Sequence, residues 1–366
     1  MTPVPALLAA WILVVCTSAG QSSLHPLAHL PDPYVFRFQD QWFLFGTGKL
    51  PSFYYGDRLE ANALKREKLE LVFPDPTAKP AKGIWGFIPY RHTDGSWHGY
   101  ATLHYGDYRV VIAHFLPEPG ADWTRGKPIA TWRFDKVAIG NLAAGKDTAY
   151  ENKLITDDVG VLYLVYCDSG ARARNVRIFA QRMSNPGSID PSWSPRVLLG
   201  PDGYRSEDRN PGYIQIVEGP NIFRLGNRYA LLYSVGDFAM NNYKLGVAYS
   251  KTLMPPPGQT YQKVLIPDPD NVWKNTGKTN EVCYLLQSEQ PDWPNYCRAL
   301  FSGPGLGNLV AIGNRRYLVF HAYKPDDNVR QSVDRYVWML PVNANVDERL
   351  PMERWICPLF GPKGKT

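Results

Sequence analysis

Long apolar runs are missing from this chain once its first twenty residues are passed, so no later stretch can cross a bilayer as a helix. The apolar run near the start, Leu7–Val15, is itself too short to span. Followed by Thr17-Ser18-Ala19 and Gly20, it reads as an export signal over residues 1–19, and the expectation is a secreted protein with no membrane contact after cleavage. Runs of like charge are absent too: 40 Lys and Arg against 34 Asp and Glu leave +6 spread along the chain. No basic-aromatic signature for nucleic acid is present. Cysteine is sparse, five in 366 residues, and removal of the signal takes Cys16 with it. Cys167, Cys283, Cys297 and Cys357 remain, compatible with two disulfides whose pairing stays open, although Cys283 and Cys297 are close enough to close one loop. No Asn-x-Ser/Thr acceptor occurs. The few histidines do not form a compact motif: the spacing of His92, His98, His104 and His114 suits neither a helical pair nor a zinc site. Gly46-Thr47-Gly48-Lys49 lacks the spacing of a phosphate loop and reads as a turn. No nucleophile elbow is found, and Cys167, inside an apolar strand pattern, reads as buried.

What the chain has in quantity is aromatic residues, 13%, with 31 Gly and 32 Pro. Short apolar stretches punctuated by turn residues favour an all-β protein. One pattern recurs: an apolar strand, a tight turn, a Tyr/Phe/Leu-rich strand, then further strands. It appears at Tyr34–Phe38 with Gln41–Gly46, and at Trp97–His104 with Arg109–Phe115. It returns at Lys153–Thr156 with Val161–Cys167 and Val176–Arg182, then at Ile216–Ser234 with Lys244–Ser250. The last copy joins Asn308–Ile312, Arg316–His321 and Tyr336–Val342. A pair of β-sandwiches would not repeat one hairpin grammar five times, so the expected fold is a single five-bladed β-propeller over residues 20–366. Met254–Ser302 is read as an irregular insertion between the last two blades, and Asn62–Lys82 as an excursion after the first.

A propeller gathers its inner strands around one axis, so acids at their starts converge at one end of the channel. Asp32, Glu151 and Glu218 are read as holding that start in blades one, three and four. Crowded carboxyls suit glycoside hydrolysis, where one protonates the leaving oxygen and another activates water or attacks, while a third raises the pKa of the acid.

Leu30–Gly48, Glu151–Tyr166, Glu218–Ser250 and Ser302–Trp338 resemble glycoside hydrolase family 43 and its five-bladed relatives. The strongest parts are Pro31-Asp32-Pro33-Tyr34-Val35 and Glu218-Gly219-Pro220 leading to Leu245-Gly246-Val247-Ala248-Tyr249-Ser250. Ser302-Gly303-Pro304-Gly305 and His321-Ala322-Tyr323 are also similar. The resemblance implies an O-glycosyl hydrolase acting with inversion on arabinofuranosyl or xylosyl linkages of plant cell-wall saccharides. Asp32 would be the general base, Glu218 the general acid, and Glu151 the third acid that tunes it, a place where the family has Asp. For inversion the base and acid should stand about 6.5–9.5 Å apart. Trp85, Phe238 and His321 are candidate substrate contacts, and Arg330 fits an arginine that relatives direct toward the sugar or the acid. The usual acid beside Trp85 is missing. Some relatives hold a calcium ion at the propeller centre beside a histidine, and that position here is Leu306, so no cofactor is expected. The expected partner is a carbohydrate, bound by a monomer. The alternative is a carbohydrate-binding propeller without turnover.

Overall fold

The computed structural model describes residues 25–342 apart from 49–50, 107–108, 141–147, 170–174, 203–207, 211–213, 240–241, 268–279, 283, 288–300 and 325–333. Nearly all regular structure is antiparallel β. Blade one is Tyr34–Phe38, Gln41–Phe45, Ser52–Gly56 and Lys65–Lys68. Blade two is Gly83–Arg91, Trp97–Gly106, Arg109–Pro117 and Thr131–Ile139, with Glu70–Val72 added in parallel at its outer edge. Blade three starts with Tyr150–Thr156, Leu162–Asp168 and Asn175–Asn185, and ends on Arg196–Leu199. Blade four is Ile214–Leu225, Arg228–Val235 and Lys244–Ser250, the last pairing with both Gln262–Lys263 and Tyr284–Gln287. Blade five is Ser302–Ile312, Arg315–Tyr323 and Tyr336–Val342, and its outer strand is Ala28–His29 from ahead of blade one.

That last pairing closes the ring. Leu27, Ala28 and Leu30 are buried with Val310, Val319 and Val337 of blade five and with Trp42 and Leu44 of blade one. The strand alternation explains the rest of the core. Residues 42 and 44 face the junction with blade five, whereas Phe43 and Phe45 face blade two. Leu231 and Tyr233 likewise face blade three, and Ala230 and Leu232 face blade five. A further cluster built on Tyr100, Ile112, Leu164 and Tyr166 fills the junction of blades two and three. Each of the five junctions thus has its own apolar cluster, because a strand with period two and both faces covered must be apolar at every position.

Two expectations need correction. The described part of Met254–Ser302 is not outside the blades: Gln262–Lys263 and Tyr284–Gln287 form the outer edge of blade four. Similarly, the stretch Asn62–Lys82 contains the fourth strand of blade one and the edge strand added to blade two. Charged strands such as Lys65–Lys68, exposed throughout, carry no apolar alternation to reveal them. Residues 1–24, Cys16, Cys283, Cys297 and Cys357 lie outside the described residues. Cys167 is a buried free thiol.

Leu44, fully buried at the closure junction, tests this packing. Leu44→Ala should destabilise the fold by about 2–5 kcal/mol through lost burial and the cavity left behind, measured by denaturant unfolding.

Candidate active site

The inner strands do not pair regularly along their whole length. Each of four has a register break, at Trp85/Ile88, Tyr150/Lys153, Glu218/Asn221 and Gly305/Asn308. Inside each break one residue has positive φ: Gly86 at 56°, Glu151 at 52°, Gly219 at 68° and Leu306 at 48°; Asp32, at 55°, is the corresponding residue ahead of blade one. Holding Asp32, Glu151 and Leu306 there costs on the order of 1–3 kcal/mol each. At position 219 a side chain would also meet Leu306, since an added Cβ would lie 2.9 Å from its Cγ.

The turned-out backbone N–H groups are satisfied in a repeated way. Gly86 N–H donates to Thr47 Oγ1 at 3.0 Å, Glu151 N–H to Thr102 Oγ1 at 3.0 Å, and Leu306 N–H to Ser234 Oγ at 2.8 Å. Asp32 N–H donates to His321 Nδ1 at 3.0 Å. Every acceptor belongs to the preceding blade, and His321 completes the circle from blade five to blade one. At the remaining junction the acceptor position is Cys167, a poor acceptor. There Gly219 N–H donates instead to Glu151 Oε2 at 2.6 Å, and the Cys167 thiol lies 3.6 Å from the same oxygen.

This frame places the acids. Asp32 and Glu151 occupy equivalent positions, but Glu218 does not: it pairs with Ser234, as Tyr150 pairs with Cys167 and Trp85 with Thr102, one residue ahead of the break. The reading of three equivalent starts is corrected to two, since the residue in register at blade four is Gly219. Asp32, Glu151 and Trp85 line one cavity of about 470 Å³ with Thr47, Thr102, Gly219 and Pro220. Glu218 is buried beside it, its Oε2 accepting from Tyr150 Oη and its Oε1 from Tyr243 Oη, both at 2.7 Å. Trp85 is tilted against His104, ring centroids 4.6 Å apart.

The carboxyls are driven apart electrostatically. Burial pushes Asp32 up, but opposing interactions led by the Arg335 guanidinium, 3.0 Å from Oδ1, hold it well below the usual carboxylate range. Burial pushes Glu151 well up, helped by Glu218 and Asp32. It also raises Glu218, against the two tyrosine hydroxyls. Glu151 and Glu218 therefore act as one proton-holding pair whose titration belongs to both. His321 is fully buried behind Asp32, its pKa lowered to about 4 by burial and then Arg335. Because a backbone N–H can only donate, Nδ1 is the acceptor and the imidazole is neutral. This histidine positions Asp32 and does not reach the cavity, which corrects its reading as a substrate contact.

Phe238 is partly exposed beneath the Arg335 guanidinium, 4.7 Å from ring centroid to Cζ. Arg330 lies outside the described residues. Arg335, directly ahead of the third strand of blade five, was not singled out from sequence, and nothing in its local pattern marks it. Lys153, also overlooked, lines both this cavity and a neighbouring one bordered by Tyr34 and Ile222. Its Nζ sits 4.4 Å from the Tyr34 ring centroid, and burial lowers its pKa to about 8 against the opposing pull of Glu151 and Asp32. Nearby, Asn221 Nδ2 donates to Asn308 Oδ1 at 2.8 Å, and Asn308 Nδ2 to the Pro33 carbonyl. An ammonium, two amides already engaged and Leu306 do not suit a central calcium ion, which requires several oxygen ligands. Among the described residues no group of three or more His, Cys, Asp and Glu is placed to hold a metal.

Three of the four histidines taken together in the sequence do meet, on blade two away from the cavity. Ser96 Oγ lies 2.9 Å from His98 Nε2, His98 Nδ1 lies 2.9 Å from His114 Nε2, and His114 Nδ1 lies 2.8 Å from Asp135 Oδ2. His92 is beside them, its ring 6.4 Å from His98. Burial and then His114 lower the pKa of His98 to about 4, and burial also lowers that of His114.

Two measurements test these arrangements. Glu151→Asp should lose the bond to Gly219 N–H and destabilise by about 1–3 kcal/mol, and Cys167→Thr should recover part of it by supplying the hydroxyl that other junctions use. A double-mutant cycle in denaturant should show coupling; strict additivity would refute the exchange of acceptors. Separately, a base whose folded pKa is depressed supports the fold above its unfolded value and loses that contribution on acidification. Stability should fall from about pH 6.5 toward about 4, and His98→Gln should make that slope shallower.

Known proteins place this geometry. Residues 135–298 match the family model described as Glycosyl hydrolases family 43, a span holding Glu151 and Glu218. Among solved structures, an α-L-arabinofuranosidase from Lactobacillus brevis is 17% identical, with 87% of this chain and 93% of that one covered and a TM-score of 0.62. A thermostable family-43 glycoside hydrolase is 17% identical, with 88% and 92% covered and a TM-score of 0.63. The Cellvibrio cellulosa α-L-arabinanase complexed with arabinohexaose is 18% identical, with 86% and 92% covered and a TM-score of 0.57. A search of curated proteins finds no match. At such identities the solved structures speak for the fold, a five-bladed β-propeller, and the family model relates the stretch 135–298, with Glu151 and Glu218 in it, to glycosyl hydrolases of family 43.

Proposed function

We propose that the chain is an exported, monomeric, inverting glycosidase that cleaves arabinofuranosyl or xylosyl linkages of plant cell-wall saccharides, with residues 1–19 as its export signal. The observation that carries the mechanism is the opposite bias on neighbouring carboxyls, Asp32 and Glu151 lining one cavity and Glu218 buried beside it. Arg335 favours the ionised form of Asp32, while burial favours the protonated forms of Glu151 and Glu218, helped at Glu151 by the charges of Glu218 and Asp32 and at Glu218 by that of Asp32. Such separation is what assigns base and acid in a site built from like groups.

In this reading Asp32 removes a proton from water as the water oxygen bonds to the anomeric carbon. The bond from that carbon to the leaving oxygen breaks on the opposite face, and Glu218 gives its proton to that oxygen. Each turnover therefore leaves Asp32 protonated and Glu218 ionised, and exchange with solvent resets both. Tyr150 and Tyr243 suit the change of state: their hydroxyls donate to the carboxylate after proton loss, and either can rotate to accept from the acid before it. Glu151 anchors Gly219, the residue after Glu218, through the bond from its N–H, and its own proton affinity is raised by burial and then by the Glu218 charge. Trp85 offers a ring to a sugar face, and Phe238 a second apolar surface under Arg335.

Arabinofuranosides and xylosides with poor and activated leaving groups test the roles. Glu218→Gln should cost about 10²–10⁴-fold in rate with a poor leaving group and far less with a nitrophenyl group, which departs without a proton. Asp32→Asn should lose activity on both, and the first sugar released by wild type should have inverted anomeric configuration. Activity should decline on the alkaline side as the glutamate pair loses its proton. Wild-type rates in both variants, or a retained configuration, would overturn the mechanism.

A further inference from the structure

Beside the catalytic cavity runs a second, larger and more open groove of about 1270 Å³, whose walls come from blades one and two and from the approach to the third strand of blade five. It is continuous with the cavity, because Thr47 and Trp85 border both. Its charge is one-sided. Arg335, at its inner end, is already bound to Asp32, and Asp334 is paired with His29 at 3.2 Å. Arg66 and Lys82 remain, both exposed and neither in an ion pair with a described residue.

Arg66 is oriented rather than loose. Its Nε donates to Ser52 Oγ at 3.2 Å, across the paired third and fourth strands of blade one, where Ser52 and Arg66 lie near each other in register. That bond directs the guanidinium along the groove and leaves its Nη1 and Nη2 edge for another acceptor, the edge that meets a carboxylate in a two-point fork. Lys82 is anchored at the backbone, where its N–H donates to the His104 carbonyl at 3.0 Å just before the inner strand of blade two. Its charge is felt by His104, the ring packed against Trp85. Neutral sugar hydroxyls need no such cations, and among the described residues no carboxylate forms an ion pair with them.

We propose that this groove binds a carboxylate carried by the substrate chain, so that the preferred substrate is a saccharide bearing uronic acid units outside the cleaved linkage. The inference rests on the hydrolase reading above and adds the substrate class. Arg66 takes the carboxylate by its two-nitrogen edge, Lys82 contributes a second charge from the opposite wall, and Trp85 forms the rim over which the chain passes into the catalytic cavity. Both cations are solvent-exposed, so their attraction is screened by salt, and their effect is on capture of the substrate more than on the bond-breaking step.

A uronate-bearing arabino- or xylo-oligosaccharide and its carboxyl-reduced counterpart, identical except for the charge, provide the test. Wild type should favour the charged form by about tenfold or more in kcat/KM, mostly through KM, and the preference should shrink in high salt. Arg66→Gln and Lys82→Gln should each reduce the preference while leaving rates on the neutral counterpart unchanged. Equal rates on the two forms, or variants that keep the full preference, would overturn the groove assignment. If wild type cleaves neither form, the hydrolase reading fails, and calorimetric binding then decides the groove alone. Tighter binding of the charged form, lost in Arg66→Gln, supports it, and indifference to the charge refutes it.

Discussion

Around the channel of this propeller, each inner strand leaves its regular pairing at one residue and hands that residue's N–H to a side chain of the blade before it. Thr47, Thr102, Ser234 and His321 are the acceptors at four junctions, and Glu151 at the fifth. A buried N–H without a partner would be costly, so each junction must provide an acceptor at that spot. The positive φ that turns the N–H outward is the same feature that turns the side chains of Asp32 and Glu151 toward the cavity. Ring closure and the placing of the acids are therefore one constraint. His321 joins the last blade to the first through the residue proposed as the base, so strain at Asp32 is supported by the closed ring.

Junction three shows how that constraint shapes chemistry. Cys167 stands where the other blades have a hydroxyl or an imidazole, and the Glu151 carboxylate fills its place with a 2.6 Å bond. The glutamate side chain reaches across the junction from its own inner strand. Burial and the Glu218 charge raise its proton affinity, and burial raises that of Glu218, whereas Arg335 favours the ionised form of Asp32. Like groups thus acquire unlike protonation states from neighbours on different blades. Near them the Lys153 ammonium, its pKa lowered by burial to about 8, and the hydrogen-bonded Asn221/Asn308 pair offer a dication a poor set of ligands.

Much of this was readable from residue patterns. Turn residues between aromatic strands disclosed five hairpins, and Pro31-Asp32-Pro33 and Glu218-Gly219-Pro220 disclosed two acids at the mouths of inner strands. The pattern failed where strands were charged, as in Lys65–Lys68, and it left out Gly83–Arg91, whose apolar residues are interrupted by Gly86 and Pro89. It also failed at register: Glu218 looked equivalent to Asp32, yet sits one residue ahead, because a register break leaves no mark in the order of residue types.

The sequence by itself determined the all-β class and the five-fold repetition and singled out the candidate acids, since these follow from local alternation, turn chemistry and motif. Only the tertiary structure decided which groups stand beside those acids. Arg335 and His321 reach Asp32 across about 300 residues of chain, and Glu151 meets Gly219 across 68. Protonation is set by distance and burial in space, quantities that closure of the ring fixes and linear order does not contain.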